Sequence, residues 1–577
     1  MIVSKYKIFT VTLICSIVLV VSTTALAQDK PAKQVKTYNE EITVVAPFDP
    51  IIPDAFKISS NPAIDDSITK VPVMNYSIAP RMADVKPVIE PLPAVKLVAE
   101  PISKLYRNYI RAGAGNNAAL YGELFVSSLR SKQYLTSVHL KHQSAAGKIK
   151  DFGPPANSRN EADVTATKYF DELTLTGKAF YYRDGLHLYG YKPGDFPDTV
   201  IKKDDIKQRY YTTGASATFS SNYKDKDKLN HSVGLSFYHM AGMYEARENN
   251  VHLTTTLYKR YDLFKVGFDQ VLGVTAGYNH LNQIDSLGKT NSGILTINPF
   301  IKADVNEYSF MAGIDLKIAT GPVSVVRLYP VAEARLELIP DVLKVYAGFT
   351  GSMERSSLQN ITEQNLYVSS VIPWNYEYEK FRIYGGFKSN ISRIFNFNGS
   401  ISSSTFENNP LFVTDTNAYL LNSFTVIYDN INAVKLKGEL EFVKSEHLRL
   451  ALNGTYTHYK TLRQQYAWYK PAYEVEFTAR YDIQSKIVIT AKAVFNGPVW
   501  ALAPKTDLIT GETIKPYIMT ATELKGWADL NLGAEYRFTK ALSFWINFNN
   551  LTNNKYYRWN NYRSYGFNLM GGVSYSF

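Results

Sequence analysis

Cysteine is almost missing from this 577-residue chain: its one copy, Cys15, sits in an apolar stretch near the start. Disulfides and thiolate chemistry are therefore excluded for everything downstream. Past that stretch, no segment offers the roughly eighteen continuous apolar residues of a membrane-crossing helix. Glycine is absent before Gly113, although the chain holds 33 of them. Neither an HExxH pattern nor a glycine-rich phosphate loop occurs. The formal charge is +11, but no basic run with interleaved aromatics gathers it, which argues against nucleic acid as a partner.

What is present begins with a secretory pattern. Lys5 and Lys7 precede the apolar core from Ile8 to Val21, and Ala25-Leu26-Ala27 supplies a small-residue cleavage site before Gln28. Residues 1–27 are expected to be a signal peptide, with cleavage near Ala27. Cys15 lies inside its core, so the mature chain is expected to have none.

Residues 28–104 differ from all that follows. They hold eleven of the 25 prolines and no glycine. Proline cannot donate to a strand ladder, and runs such as Lys86-Pro87-Val88-Ile89-Glu90-Pro91 favour an extended path. Ile51, Phe56, Val73 and Ile78 make this arm too apolar for an idle linker. It is expected to lie against a barrel lumen or a partner protein.

From about residue 105 the period is two. Near the end, Ala528, Leu530, Leu532, Ala534, Tyr536 and Phe538 alternate with Asp529, Asn531, Glu535 and Arg537. Leu542, Phe544, Ile546 and Phe548 continue the alternation, and so do Tyr565, Phe567, Leu569, Val573, Tyr575 and Phe577. Successive strand side chains point to opposite faces, so each run has one greasy face and one wet face. Runs of about ten residues or more suit tilted membrane-crossing strands, and charges on the wet face suit a polar lumen. Aromatics at 14%, including 42 Tyr, would furnish two interfacial girdles. The fold class is all-β: a transmembrane antiparallel β-barrel of about 22 strands, with 20 or 24 open, over residues 105–577. Thr539-Lys540, Gln484-Ser485-Lys486 and Ser445-Glu446-His447 read as periplasmic turns. The stretches Trp500 to Glu523, Thr461 to Pro471 and Leu551 to Arg563 read as long outer connections. Between about 356 and 432 the alternation assigns no side.

Here the residues reach a family. The segment from Ala528 through Asn550-Leu551 and Lys555-Tyr556-Tyr557 to Gly571-Gly572-Val573-Ser574-Tyr575-Ser576-Phe577 resembles the end of TonB-dependent outer-membrane receptors. It looks most like those of the Bacteroides–Flavobacterium group. The resemblance implies localisation in a Gram-negative outer membrane. It also implies that Gly572, Tyr575 and Phe577 form the C-terminal signal read by the barrel-assembly machinery. Glu40-Glu41-Ile42-Thr43-Val44-Val45-Ala46-Pro47 resembles the box by which such receptors pair with TonB, with Ile42, Thr43, Val44, Val45 and Ala46 as its strand. The chain departs from the family in its arm, which has no glycine and fewer residues than the usual plug, so a normal plug domain is not expected. A barrel this wide still needs filling, by the arm, by in-folded loops or by another protein.

Two functional readings remain. The first is a receptor-like barrel that binds or transports a solute across the outer membrane, with TonB linkage implied by the box. The second is a non-conducting structural barrel whose periplasmic arm docks other envelope proteins. No catalytic, cofactor or metal residues are assigned, and no enzyme is expected. His139 and His142 are three apart, so a strand sends them to opposite faces. Glu439, Glu441, Glu474, Glu476 and Asp482 are expected to form a mixed-sign lumen wall with Lys435, Lys437 and Arg480; a cation path is the alternative. Tyr556, Tyr557, Trp559 and Tyr562, with Tyr466, Trp468 and Tyr469, and with Trp374, Tyr376 and Tyr378, are expected in interfacial girdles. Stacking on sugars or anchoring a protein is the alternative.

Overall fold

The computed structural model describes residues 106–577 apart from 129–130, 263–269 and 506–517. The expected signal peptide, the expected arm and the TonB-box-like Ile42–Ala46 lie outside the described residues. The rest is a 22-stranded sheet closed on itself, every neighbouring pair antiparallel. Closure is made by the first strand, Tyr109–Gly115, and the last, Asn568–Ser576, with Gly113 opposite Gly572 and Ile110 opposite Tyr575. Beyond the strands, Asn108 and Phe577 exchange backbone hydrogen bonds of 3.1 and 2.9 Å. A closed ladder leaves no edge unpaired, which a sheet in lipid requires.

The two faces separate as the alternation predicts. Leu530, Leu532, Tyr536, Phe544, Ile546, Val573 and Tyr575 are large, apolar and exposed, as a lipid-facing surface is outside its membrane. The opposite face is ionic. Lys437 pairs with Glu439, Arg449 with Glu441, Lys492 with Glu476 at 2.8 Å, and Arg537 with Asp482 at 3.1 Å. These carboxylates therefore belong to the mixed-sign wall. Among the expected cations, Lys437 takes part; Arg449, Lys492 and Arg537 supply the others.

The wall is uneven in height. It is lowest at the seam, where Tyr109–Gly115 has seven residues and Leu542–Asn549 eight. It is tallest at Phe395–Thr414 and Phe424–Lys444, with 20 and 21. The alternation failed between 356 and 432 for two reasons. Residues 356–375 form a loop carrying one helix, α1 (Leu358–Gln364). The next strands, Tyr376–Ser392 and Phe395–Thr414, then break register between Glu379 and Phe381 and between Phe406 and Asn409. An extra residue in one strand reverses which side chains face the lipid, so a strict period of two cannot be followed through it.

Candidate functional site: the loop-covered mouth

The chain ends of the barrel share one side with the short turns, and the long loops crowd the other. Among the 22 wall strands, one long loop joins the fifth and sixth, another the thirteenth and fourteenth, and a third the twenty-first and twenty-second. These three start from roughly equally spaced points on the rim. They meet. Tyr189 of the first, Tyr367 of the second and Tyr562 of the third form one cluster: Tyr367 and Tyr562 have centroids 3.7 Å apart, Tyr189 and Tyr562 4.9 Å, and Tyr189 and Tyr367 6.2 Å. Loops from three thirds of a ring can touch at one point only over its interior, so the cluster closes the mouth.

Hydrogen bonds fix the junction. The Tyr562 hydroxyl donates to the Asn422 carbonyl, and Asn422 Nδ2 donates to the Leu188 carbonyl at 2.6 Å. The Tyr189 hydroxyl donates to the Arg563 carbonyl at 2.9 Å. Trp559, from the hairpin Tyr557–Trp559 and Tyr562–Arg563, packs on Tyr469 at 4.7 Å, Phe412 at 5.2 Å and Phe424 at 5.3 Å. Burial raises the phenols of Tyr189, Tyr367 and Tyr562 above the ordinary tyrosine range. At the edge of the cluster, burial pushes Tyr565 up to about 12.

Helix α1 ties this cap to the wall. Ser357 Oγ accepts from the Asn360 amide at 3.1 Å and starts the helix. Leu358 and Ile361, three apart, turn their side chains into the aromatic core, each 1% exposed. The Leu358 amide donates to Glu248 Oε2 at 2.6 Å, and Glu248 Oε1 accepts from the Tyr238 hydroxyl at 2.6 Å. Nearby, the buried Arg355 holds Ser292 and Asn279. Below α1 lies a polar recess of about 520 Å³ reached by Lys317, His252 and Arg355. On the mouth itself, a cleft of about 310 Å³ opens between Tyr189, Tyr367, Tyr556, Trp559 and Tyr562, with Arg558 and Glu363 at its margin.

The structure thus moves several aromatics out of the girdle expected for them. Tyr562 is 3% exposed inside the loop cap, and Trp468 is 2% exposed in a separate cluster with Leu411, Val413 and Ile431. Loop aromatics pack on one another here because three loops supply enough apolar surface to exclude water from each other. Trp374 and Tyr376, 4.7 Å apart, are likewise packed inward. The sequence reading missed Tyr189, Tyr367, Phe412, Phe424, Glu248 and α1. Only the helix had a local signal, Ser357 followed by Leu358 and Ile361.

The remaining candidates separate cleanly. His139 faces the lumen between Glu123 at 2.9 Å and Asp163 at 3.4 Å, whereas His142 bonds Asn160 at 2.8 Å on the other face. Among the described residues no group of three or more His, Cys, Asp or Glu side chains is disposed to hold a metal ion. Tyr575 and Phe577 lie on the lipid face, 47% and 50% exposed, with rings 5.9 Å apart. Gly572 lies in the closing seam.

The fold is similar to that of solved outer-membrane receptor barrels. The siderophore receptor PirA from Acinetobacter baumannii is similar with a TM-score of 0.62 and 10% identity, over 83% of this chain and 81% of that one. The pyoverdine outer-membrane receptor FpvA from Pseudomonas aeruginosa, bound to pyoverdine, gives 0.60 and 13%, over 82% and 78%. The ferric-catecholate import receptor Fiu from E. coli K12 gives 0.58 and 11%, over 82% of each. The likeness is one of fold. No protein-family model matches the sequence, and no curated protein matches it either.

Proposed function

We propose that this chain is an outer-membrane receptor that binds a solute at its aromatic extracellular mouth and passes it to the lumen when the loop cap opens. The observation that carries this reading is the meeting of Tyr189, Tyr367 and Tyr562 beside an open cleft of about 310 Å³. Convergent aromatics with a few polar groups at the margin are how small-molecule sites are built. The similar folds, whose members include receptors for siderophores, support the same class.

The finer parts of the proposal rest on the sequence. Residues 1–27 direct export to the Gram-negative outer membrane, and Gly572, Tyr575 and Phe577 are read by the assembly machinery. Ile42, Thr43, Val44, Val45 and Ala46 pair with TonB, and residues 28–104 take the place of a folded plug.

One observation favours the second reading, a structural barrel that docks envelope proteins through its arm: the mouth is closed by well-packed loops. Planar-bilayer conductance of the mature protein, with and without residues 28–104, combined with deletion of residues 40–47 in cells, separates the two. A receptor loses uptake of a limiting nutrient when 40–47 are removed. Unchanged uptake, silence from both proteins and a stoichiometric partner held by residues 48–104 would establish the structural reading instead.

A further inference from the structure

The outer wall is not uniformly filled with apolar side chains. Across adjacent strands, Gly399 stands opposite Gly438, and Gly438 opposite Gly454. The row continues to Phe387 on one side and Val475 on the other. Its neighbours along the strand fix the face: Lys437 and Glu439 pair in the lumen, so Gly438 points to lipid with the exposed Leu436. The result is an apolar recess of about 640 Å³ in the lipid-facing wall. A side chain at Gly438 or Gly454 would meet nothing within 4 Å.

Its depth follows from the strand. On Phe424–Lys444 the outward column runs from Asn432 through Gly438 to Lys444, without a register shift. Gly438 is therefore midway between the first polar side chains on either side. Six residues at about 3.4 Å each, tilted by about 45°, rise about 14 Å, close to half of a hydrocarbon core about 30 Å thick. The recess lies near the bilayer midplane and Lys444 at its periplasmic surface. Arg393 lies beside Lys444: it occupies the turn whose next residue, Ile394, accepts the Val443 amide at 2.8 Å. Among the described residues, neither cation is in an ion pair, and both are exposed.

The recess is banked on one side. Ile401, Leu436, Tyr456 and Tyr473, each two positions nearer the outside than the glycine row, line it, and no residue from the row beneath does. A chain rising from the periplasmic leaflet enters freely and ends against this bank. A chain descending from the outer leaflet, past His458 and Lys460, meets the bank first.

We propose that this face is a binding site for one anionic phospholipid of the periplasmic leaflet, its acyl chain in the recess floored by Gly438 and Gly454 and its phosphate at Arg393 and Lys444. The apolar recess supplies the chain's place, and the two cations attract the anionic headgroup.

Native mass spectrometry of the full-length mature protein, extracted from outer membranes and then exchanged with phosphatidylglycerol or phosphatidylethanolamine, tests it. The wild type should retain one phosphatidylglycerol under conditions that strip other lipid. Gly438→Leu with Gly454→Leu should lower retention about tenfold. Arg393→Gln with Lys444→Gln, which leaves the recess intact and guards against misfolding of the filled variant, should remove the preference for phosphatidylglycerol. Heat-modifiable mobility on gels reports whether each barrel is folded. The proposal is overturned by unchanged retention in the folded leucine variant or by an unchanged headgroup preference in the glutamine variant. Lipid A retained in place of phospholipid, or a second copy of the chain crosslinked across the glycines, would equally overturn it.

Discussion

The hydroxyl of Tyr562 donates to the backbone carbonyl of Asn422, joining two loops of the mouth 140 positions apart in the chain. Removing only that hydroxyl, by Tyr562→Phe, leaves a buried carbonyl without its donor and should weaken cap closure by about 1–3 kcal/mol. Tyr562→Ala also removes the ring that Tyr189 and Tyr367 share, and should weaken closure by about 3–5 kcal/mol. Limited proteolysis of the external loops on intact cells measures this: cleavage should rise modestly in the first variant and strongly in the second. Equal resistance in all three proteins would mean that the junction does not hold the mouth.

The cap should also open in alkali. The phenols of Tyr189, Tyr367 and Tyr562 are held neutral by burial, whereas an exposed tyrosine titrates near about 10. A pKa raised in the closed form means that closure is fully stabilised below about 10 and loses stability as pH rises above it. Protease sensitivity of the loops should therefore be flat from neutrality to about pH 10 and climb beyond it. A matching rise in phenolate absorbance would tie the opening to these side chains. In Tyr562→Phe the climb should be shallower.

Glu248 anchors α1 through the Leu358 amide and the Tyr238 hydroxyl. In Glu248→Gln one of its two accepting oxygens becomes a donor and faces another donor. Hydrogen bonds to a charged acceptor contribute about 1.5–3 kcal/mol. Hydrogen exchange of residues 358–364 should quicken accordingly, about tenfold or more, while the wall strands remain unchanged.

Gly572 has a steric role apart from any recognition. A Cβ there would lie 2.0 Å from the Ala112 carbonyl oxygen and 2.6 Å from the Trp545 ring. Gly572→Ala should therefore reduce refolding into detergent micelles, where no assembly machinery is present. Gly438→Ala, whose Cβ enters open space, should refold as the wild type does. Normal refolding of Gly572→Ala would leave recognition as the reason for glycine at that place.

The wall was largely legible in the sequence because lipid and lumen impose opposite chemistry on alternate residues. Leu530 against Asp529 and Val475 against Glu476 needed no partner to be read. Legibility ended where a bulge reversed the phase, after Glu379 and after Phe406. The cap was illegible for a different reason. Nothing near Tyr189 indicates that its hydroxyl will bond Arg563, 374 residues on. Such contacts follow from which loops stand above the same opening, and the strand count has to be known first.

Three loops leaning on one point make a tripod, and a tripod answers to the shape of the ground beneath its feet. Deform the closed wall and two feet approach while the third withdraws, so the shared contact of Tyr189, Tyr367 and Tyr562 is sheared wherever the push came from. Bilayer pressure, a neighbouring barrel or a pull from the periplasmic rim would each reach the mouth by this route, without any chain of side chains running the height of the wall.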